Sequence, residues 1–112
     1  MVLYNITFKV EDNSAESWLQ FMKDDYLPLL FKTGYILNYS ILKLLNEEYS
    51  DGGTTYSVQL MLENTEQLQR YQEVYEVPLE ANLHKKFGGT FLYFKTWLEE
   101  VVNSRDVSLE AQ

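Results

Sequence analysis

The sequence predicts an α+β fold in which four antiparallel strands carry two helices on one face. Three observations point to it. Apolar residues alternate strictly over Val2–Glu11 and again over Thr54–Leu62, the period of a half-buried strand. Two longer stretches, Trp18 to Leu30 and Leu68 to Phe87, repeat their apolar residues every three or four positions, the period of an amphipathic helix. Asp51-Gly52-Gly53, between the second and third strands, is a hairpin signal.

The first strand places Val2, Tyr4, Ile6, Phe8 and Val10 on one face and Leu3, Asn5, Thr7, Lys9 and Glu11 on the other. Asp12-Asn13-Ser14 then turns the chain, and Asn13 with Glu16 has the spacing of a capping box. The first helical stripe is Trp18, Leu19, Met22, Tyr26, Leu29 and Leu30. Pro28 removes an amide inside it, which predicts a kink or a separate last turn, and Thr33-Gly34 supplies the stop. Tyr35–Leu45 is rich in β-branched and aromatic residues and follows a glycine, so it is a strand. Asn46 to Gly53 forms the connector to its antiparallel neighbour.

The third strand puts Tyr56, Val58, Leu60 and Leu62 inward and Thr55, Ser57, Gln59 and Met61 outward. Asn64 and Gln67 repeat the capping spacing, and Leu68, Tyr71, Tyr75, Leu79, Leu83 and Phe87 carry the second helix past a break at Pro78 to Gly88-Gly89. Thr90–Leu98 is the fourth strand. Residues 1–102 are expected to form one domain, with Asn103–Gln112 a flexible polar tail or loosely docked turn.

The order β-α-β-β-α-β is that of the ferredoxin-like folds, with strands one and three central and both helices on one face of the sheet. The face left bare would hold Leu3, Asn5, Thr7, Thr55, Ser57, Gln59 and Met61, together with Tyr93 and Trp97. Such a mixed, uncharged surface is seldom left in water, and a second copy laid against it is the simplest cover. A homodimer through the open sheet face is therefore expected.

Composition narrows the partners. Hydrophobic residues make up 46% of the 112 and aromatics 15%, enough for a folded core. Nine basic against seventeen acidic residues give a formal charge of −8, which disfavours nucleic acid and anionic membrane surfaces. Cysteine is absent, so disulfides, thiolate metal sites and a cysteine nucleophile are excluded. The N-terminal residues have no basic and apolar leader pattern, and no apolar run approaches the roughly 18 residues of a membrane span, so the cytoplasm is the expected location.

The stretches Tyr4-Asn5-Ile6-Thr7, Trp18-Leu19-Gln20-Phe21-Met22, Thr33-Gly34, Gly52-Gly53-Thr54-Thr55-Tyr56-Ser57-Val58-Gln59 and His84-Lys85-Lys86-Phe87-Gly88, followed by Phe91, Phe94, Lys95 and Thr96, resemble a family of short bacterial proteins to which no activity is attached. The resemblance spans nearly the whole chain and implies a ferredoxin-like fold of the dimeric α/β-barrel kind. Ser40 stands where a basic residue is common in that family, which speaks against a fixed anion site on the second strand. In layout alone the chain is also similar to cofactor-free and haem-degrading monooxygenases of the dimeric-barrel type. That similarity would pair Asn5 with His84 across a common cavity. The tryptophan that the haem-degrading group adds is missing, since Tyr71 and Tyr75 occupy that helix, and this counts against haem.

Among candidate residues, His84 is the only histidine and so the only side chain whose ordinary pKa lies near neutrality. It is either a general base or axial ligand, or a cation favoured by the end of its helix beside Lys85 and Lys86. Asn5 and Gln59, with Thr7, Ser57 and Tyr93, would either orient a ligand by hydrogen bonds or pair across a twofold seam. Trp18, Met22, Tyr71 and Tyr75 belong to the core by default. The paired acids Asp24-Asp25, Glu47-Glu48 and Glu99-Glu100 are adjacent and do not converge, so neither an acid–base dyad nor a metal cage is expected, and no cofactor. Gly52-Gly53 and Gly88-Gly89 lack the lysine and further glycines of a phosphate loop. The expected function is the binding of a small, partly apolar molecule by a homodimer, either between each sheet and its helices or at the sheet–sheet seam. Oxygenation through Asn5 and His84, and a protein-interaction module, are the alternatives.

Overall fold

The structure, a computed structural model, describes residues 1–46 and 52–106. Asp51 of the hairpin signal, the Glu47-Glu48 pair, and Val107 and Leu109 of the tail lie outside the described residues. Four strands form one antiparallel sheet in the order β2-β3-β1-β4, as the β-α-β-β-α-β pattern requires. They are β1 (Val2–Glu11), β2 (Asn38–Lys43), β3 (Gly53–Leu62) and β4 (Phe91–Glu99).

Two helical arms cover one face. The first is α1 (Asp12–Phe21) and α2 (Leu27–Phe31), the second α3 (Thr65–Tyr71) and α4 (Val77–Phe87). Each arm runs unbroken through a π-helical turn, Met22–Tyr26 in the first and Gln72–Glu76 in the second. The sequence led us to expect a kink or break at Pro28 and Pro78. Instead the turn before each proline widens, which accommodates a residue that has no N–H and whose ring crowds the preceding turn. The extra residue also shifts the apolar stripe. Leu27 and Leu30 point inward, whereas Leu29, placed in the stripe by the sequence, is exposed.

The core lies between the arms and the inward rows of the sheet. Val2, Tyr4, Ile6, Phe8 and Val10 of β1 and Tyr56, Val58, Leu60 and Leu62 of β3 are all buried, so both central strands face as their alternation predicts. Trp18 sits between them, stacked on Tyr56 and tilted against Phe8, with ring centroids 5.0 Å from both. Asn13 does not cap the first arm. The strand feeds straight into α1, the Asp12 amide is taken by the carbonyl of Gly52, and the Asp12 side chain accepts from Thr54 Oγ1 at 2.9 Å. Asn64 does cap the second arm, its Oδ1 accepting from the Gln67 amide at 2.9 Å. β2 is shorter than the expected Tyr35–Leu45, because Ile36 turns into the core before the strand begins.

The second arm ends at Gly88-Gly89. Gly89 has φ +85°, and a Cβ at Gly88 would lie 2.4 Å from the carbonyl oxygen of His84, a clash with backbone that cannot swing aside. The following Thr90 closes the turn by donating from its amide to the Phe87 carbonyl at 3.0 Å. Gly88→Ala is expected to lower stability by about 1–3 kcal/mol. A shift of the urea unfolding midpoint without change in slope would show it.

Candidate functional site

Three places bring chemistry-bearing side chains together, and the sheet divides them. On the open face, Asn5 lies opposite Gln59 on one side and Thr96 on the other, while Thr7 lies opposite Ser57 and Phe94. Ser40 extends the first row across β2. Asn5 Nδ2 donates to Thr7 Oγ1 at 3.1 Å, the Ser57 hydroxyl donates to Asn5 Oδ1, and Gln59 Nε2 donates to Ser57 Oγ at 3.4 Å. Four of the five ligand-binding residues picked from the sequence thus form one neutral chain of hydrogen bonds. Leu42, Leu92, Phe94 and Leu98 border it, and each of them is half or more exposed or nearly so, from 47% to 76%.

Tyr93, the fifth, is not there. It pairs with Phe8, an inward residue, and its ring stacks on that of Phe8 at 5.8 Å. Trp97 likewise pairs with Tyr4 and stacks on it at 6.2 Å, although the residue remains 58% exposed. The sequence-based placement of both on the bare face is corrected by the register of β4 against β1. In β4 both alternate sets are largely apolar, so alternation alone could not say which set turns inward.

His84 is exposed near the end of α4, its ring 5.2 Å from Phe91 and 5.6 Å from Tyr93. A gap of about 10 Å³ separates it from Ile6, Phe8 and Leu83, room for about one water. Asn5 faces the other side of the sheet. Within one subunit the two residues therefore lie on opposite sides of the sheet and do not share a cavity.

Beneath the second arm the structure assembles a charged cluster that the sequence reading missed. Lys95 Nζ lies 3.0 Å from Glu76 Oε1 and 2.6 Å from Glu80 Oε1, and the Tyr4 hydroxyl also donates to Glu76. All three charged side chains are mostly buried, the lysine at 24% exposure. Burial alone would push the Lys95 ammonium down, but its bonds to Glu80 and Glu76 outweigh this and hold it above the ordinary lysine value. Burial also raises the Tyr4, Tyr26 and Tyr71 phenols; the bond to Glu76 adds to this at Tyr4, and nearby Glu76 and Glu80 at Tyr71. A signal existed. Lys95 interrupts the aromatic row Phe91, Tyr93, Trp97, and Glu76 and Glu80 sit one turn apart within the helix that must cross it.

The third place is a cleft of about 610 Å³ between the first arm and the edge strand β2. Leu19 and Leu27 form one wall, Tyr39, Ile41 and Tyr56 the other, and Lys23 and Lys43 also line it. It exists because the arm packs over β1 and β3 and leaves β2 largely uncovered. Among the described residues no group of three or more acidic or histidine side chains could hold a metal, and no helix is long and apolar enough to cross a membrane.

An antiparallel sheet of this strand order under paired helices defines a ferredoxin-like α+β protein. The chain belongs to the family described as domain of unknown function DUF4286, whose model matches residues 1–101. No curated protein matches it. Among solved structures it is similar to a dimeric ferredoxin-like protein from an uncultured marine organism, 20% identical over 92% of this chain and 97% of that one, with a TM-score of 0.68. A Bacillus halodurans protein of the ethyl tert-butyl ether D family is 13% identical, with coverage of 90% and 100% and a TM-score of 0.68. A Nitrosomonas europaea protein provisionally named an antibiotic biosynthesis monooxygenase is 7% identical, with coverage of 91% and 100% and a TM-score of 0.65. At these identities the similarity establishes the shared fold.

The charged cluster gives the protein an alkaline limit. For Lys95 and for the three phenols the folded-state pKa is raised, so each contributes stability that is intact below the unfolded-state value and lost as pH rises through the folded one. Unfolding is expected above about pH 10. The ultraviolet tyrosinate signal of the buried phenols should then appear together with loss of helical circular dichroism; ionisation that clearly precedes unfolding would contradict the cluster's burial. Lys95→Met, which leaves Glu76 and Glu80 without their shared cation, is expected to cost about 1–3 kcal/mol in the same urea melts.

Proposed function

We propose that the protein is a homodimer closed sheet face to sheet face, each subunit holding a small, partly apolar molecule in the cleft between its first arm and β2. The cleft carries this reading. Its volume of about 610 Å³ falls within the roughly 300–1,000 Å³ of small-molecule sites, and its walls are aliphatic and aromatic with a few polar groups at fixed places.

The dimer follows from the open face. Asn5, Thr7, Ser57 and Gln59 are linked by hydrogen bonds and carry no charge, so a second sheet can cover them at low desolvation cost while the bordering Leu42, Phe94 and Leu98 gain burial. The name of the marine relative as a dimeric protein supports the same assembly. The neutral row suits such a seam, because its side chains already bond to one another and its remaining amide donors and acceptors can pair across the twofold. A monooxygenase-like reading draws support from the name of the Nitrosomonas relative, but the sheet separates Asn5 from His84 in this chain.

Light scattering behind size exclusion should give twice the chain mass. Gln59→Lys, which would bring like charges face to face across the twofold, should weaken the dimer at least about tenfold. A monodisperse monomer in the unsubstituted protein would sink the assembly. Thermal-shift screening against small apolar alcohols and acids should find a saturable stabiliser, and Ile41→Trp, which fills the cleft from β2, should abolish its effect.

A further inference from the structure

The chain carries an excess of negative charge, −8 at neutral pH, with only nine lysines and arginines. Two of those few cations line the same cleft. Lys23 comes from the π-turn of the first arm, and Lys43 from the end of β2, where it pairs with Tyr56 and so stands on the helix-facing side of the sheet. Elsewhere the cations are engaged or apart from it. Lys95 is bound between Glu76 and Glu80, Arg70 pairs with Glu66 at 2.9 Å, and Lys86 lies over the Phe21 ring at 4.5 Å.

Neither Lys23 nor Lys43 has a salt bridge among the described residues, and no acidic side chain among them lines the cleft. Asp24, the sequence neighbour of Lys23, accepts a hydrogen bond from Gln20 instead. The remaining lining is Leu19, Leu27, Tyr39, Ser40, Ile41 and Tyr56.

We infer that the cleft is a binding site for a small amphipathic anion, one with an acidic head group held by Lys23 and Lys43 and an apolar body laid against Leu19, Leu27 and Ile41. This rests on the cleft being the ligand site proposed above and adds the charge class of the ligand. In a protein that repels anions at long range, a pair of ammonium groups without an ion pair among the described residues, beside an apolar wall, selects for a ligand that has both parts. The family resemblance argued against an anion site at Ser40. The structure supplies the positive charge from Lys43, three residues further along β2, and from the opposing arm.

The test uses the full-length protein with decanoate and, as a neutral counterpart of the same length, decanol, each below its aggregation limit. Calorimetric titration should show saturable decanoate binding, weaker in high salt, with amide NMR shifts concentrated at Leu19, Leu27, Tyr39 and Ile41. The double variant Lys23→Gln/Lys43→Gln should bind decanoate about tenfold more weakly and decanol unchanged, with its melting temperature and oligomeric mass unaltered. Equal affinity for decanol and decanoate, or full affinity in the double variant, would overturn the anion assignment while leaving an apolar ligand site in place. Shifts centred on Asn5 and Gln59 would overturn it in favour of the seam. Binding of neither probe would overturn the assignment and the cleft reading together, while the mass from light scattering would still report separately on the dimer.

Discussion

β1 is hydrogen-bonded to a neighbour along both edges for nearly its whole length, and everything else is oriented by it. Its partners β3 and β4 follow residue by residue from Val2 to Val10, so the pleat of this one strand decides which side chains of three strands turn toward the helices. A slip of one residue would exchange Tyr4, Ile6 and Phe8 for Asn5, Thr7 and Lys9 beneath the arms. The five inward residues of β1 are all buried, whereas their alternates are only partly so, and that contrast holds the register in place.

The same constraint explains what could be read from the sequence. β1 and β3 differ sharply between their two faces, so their orientation and the neutral row on the bare side were legible from alternation alone, while the strand order followed from the succession of elements. β4 has Phe91, Tyr93 and Trp97 on one side and Leu92, Phe94 and Leu98 on the other, with Lys95 in the first set and Thr96 in the second. A lysine marks a solvent-facing row under ordinary rules. Here two carboxylates reach down from the second arm to meet it, and the usual inference reverses. Tyr93 and Trp97 were misplaced because both alternate sets of β4 are largely apolar, so alternation did not distinguish its faces. The cleft was invisible in the sequence because it arises from the arm's failure to cover β2, a property of packing that no local pattern encodes.

The two arms solve one problem in the same way. Each has its proline two residues after a π-turn, at Pro28 and Pro78, and each turn ends on a residue that enters the space above the sheet, Tyr26 in the first and Glu76 in the second. The first arm thus adds a phenol to that space and the second a carboxylate. Tyr4 and Lys95 of the sheet bind the carboxylate, which ties the second arm to β4 as well as to the central strand.

The two edges of the sheet are consequently held with unequal force. β4 is fastened to the helices through Lys95, while β2, six residues long and almost wholly exposed, is retained by β3 and a few apolar contacts. Hydrogen exchange should find its amides opening well before those of the opposite margin, in a local event that leaves the core folded. Since β2 is also one wall of the cleft, the molecule's weakest seam borders that cavity, and the loosening of a single short ribbon would widen it.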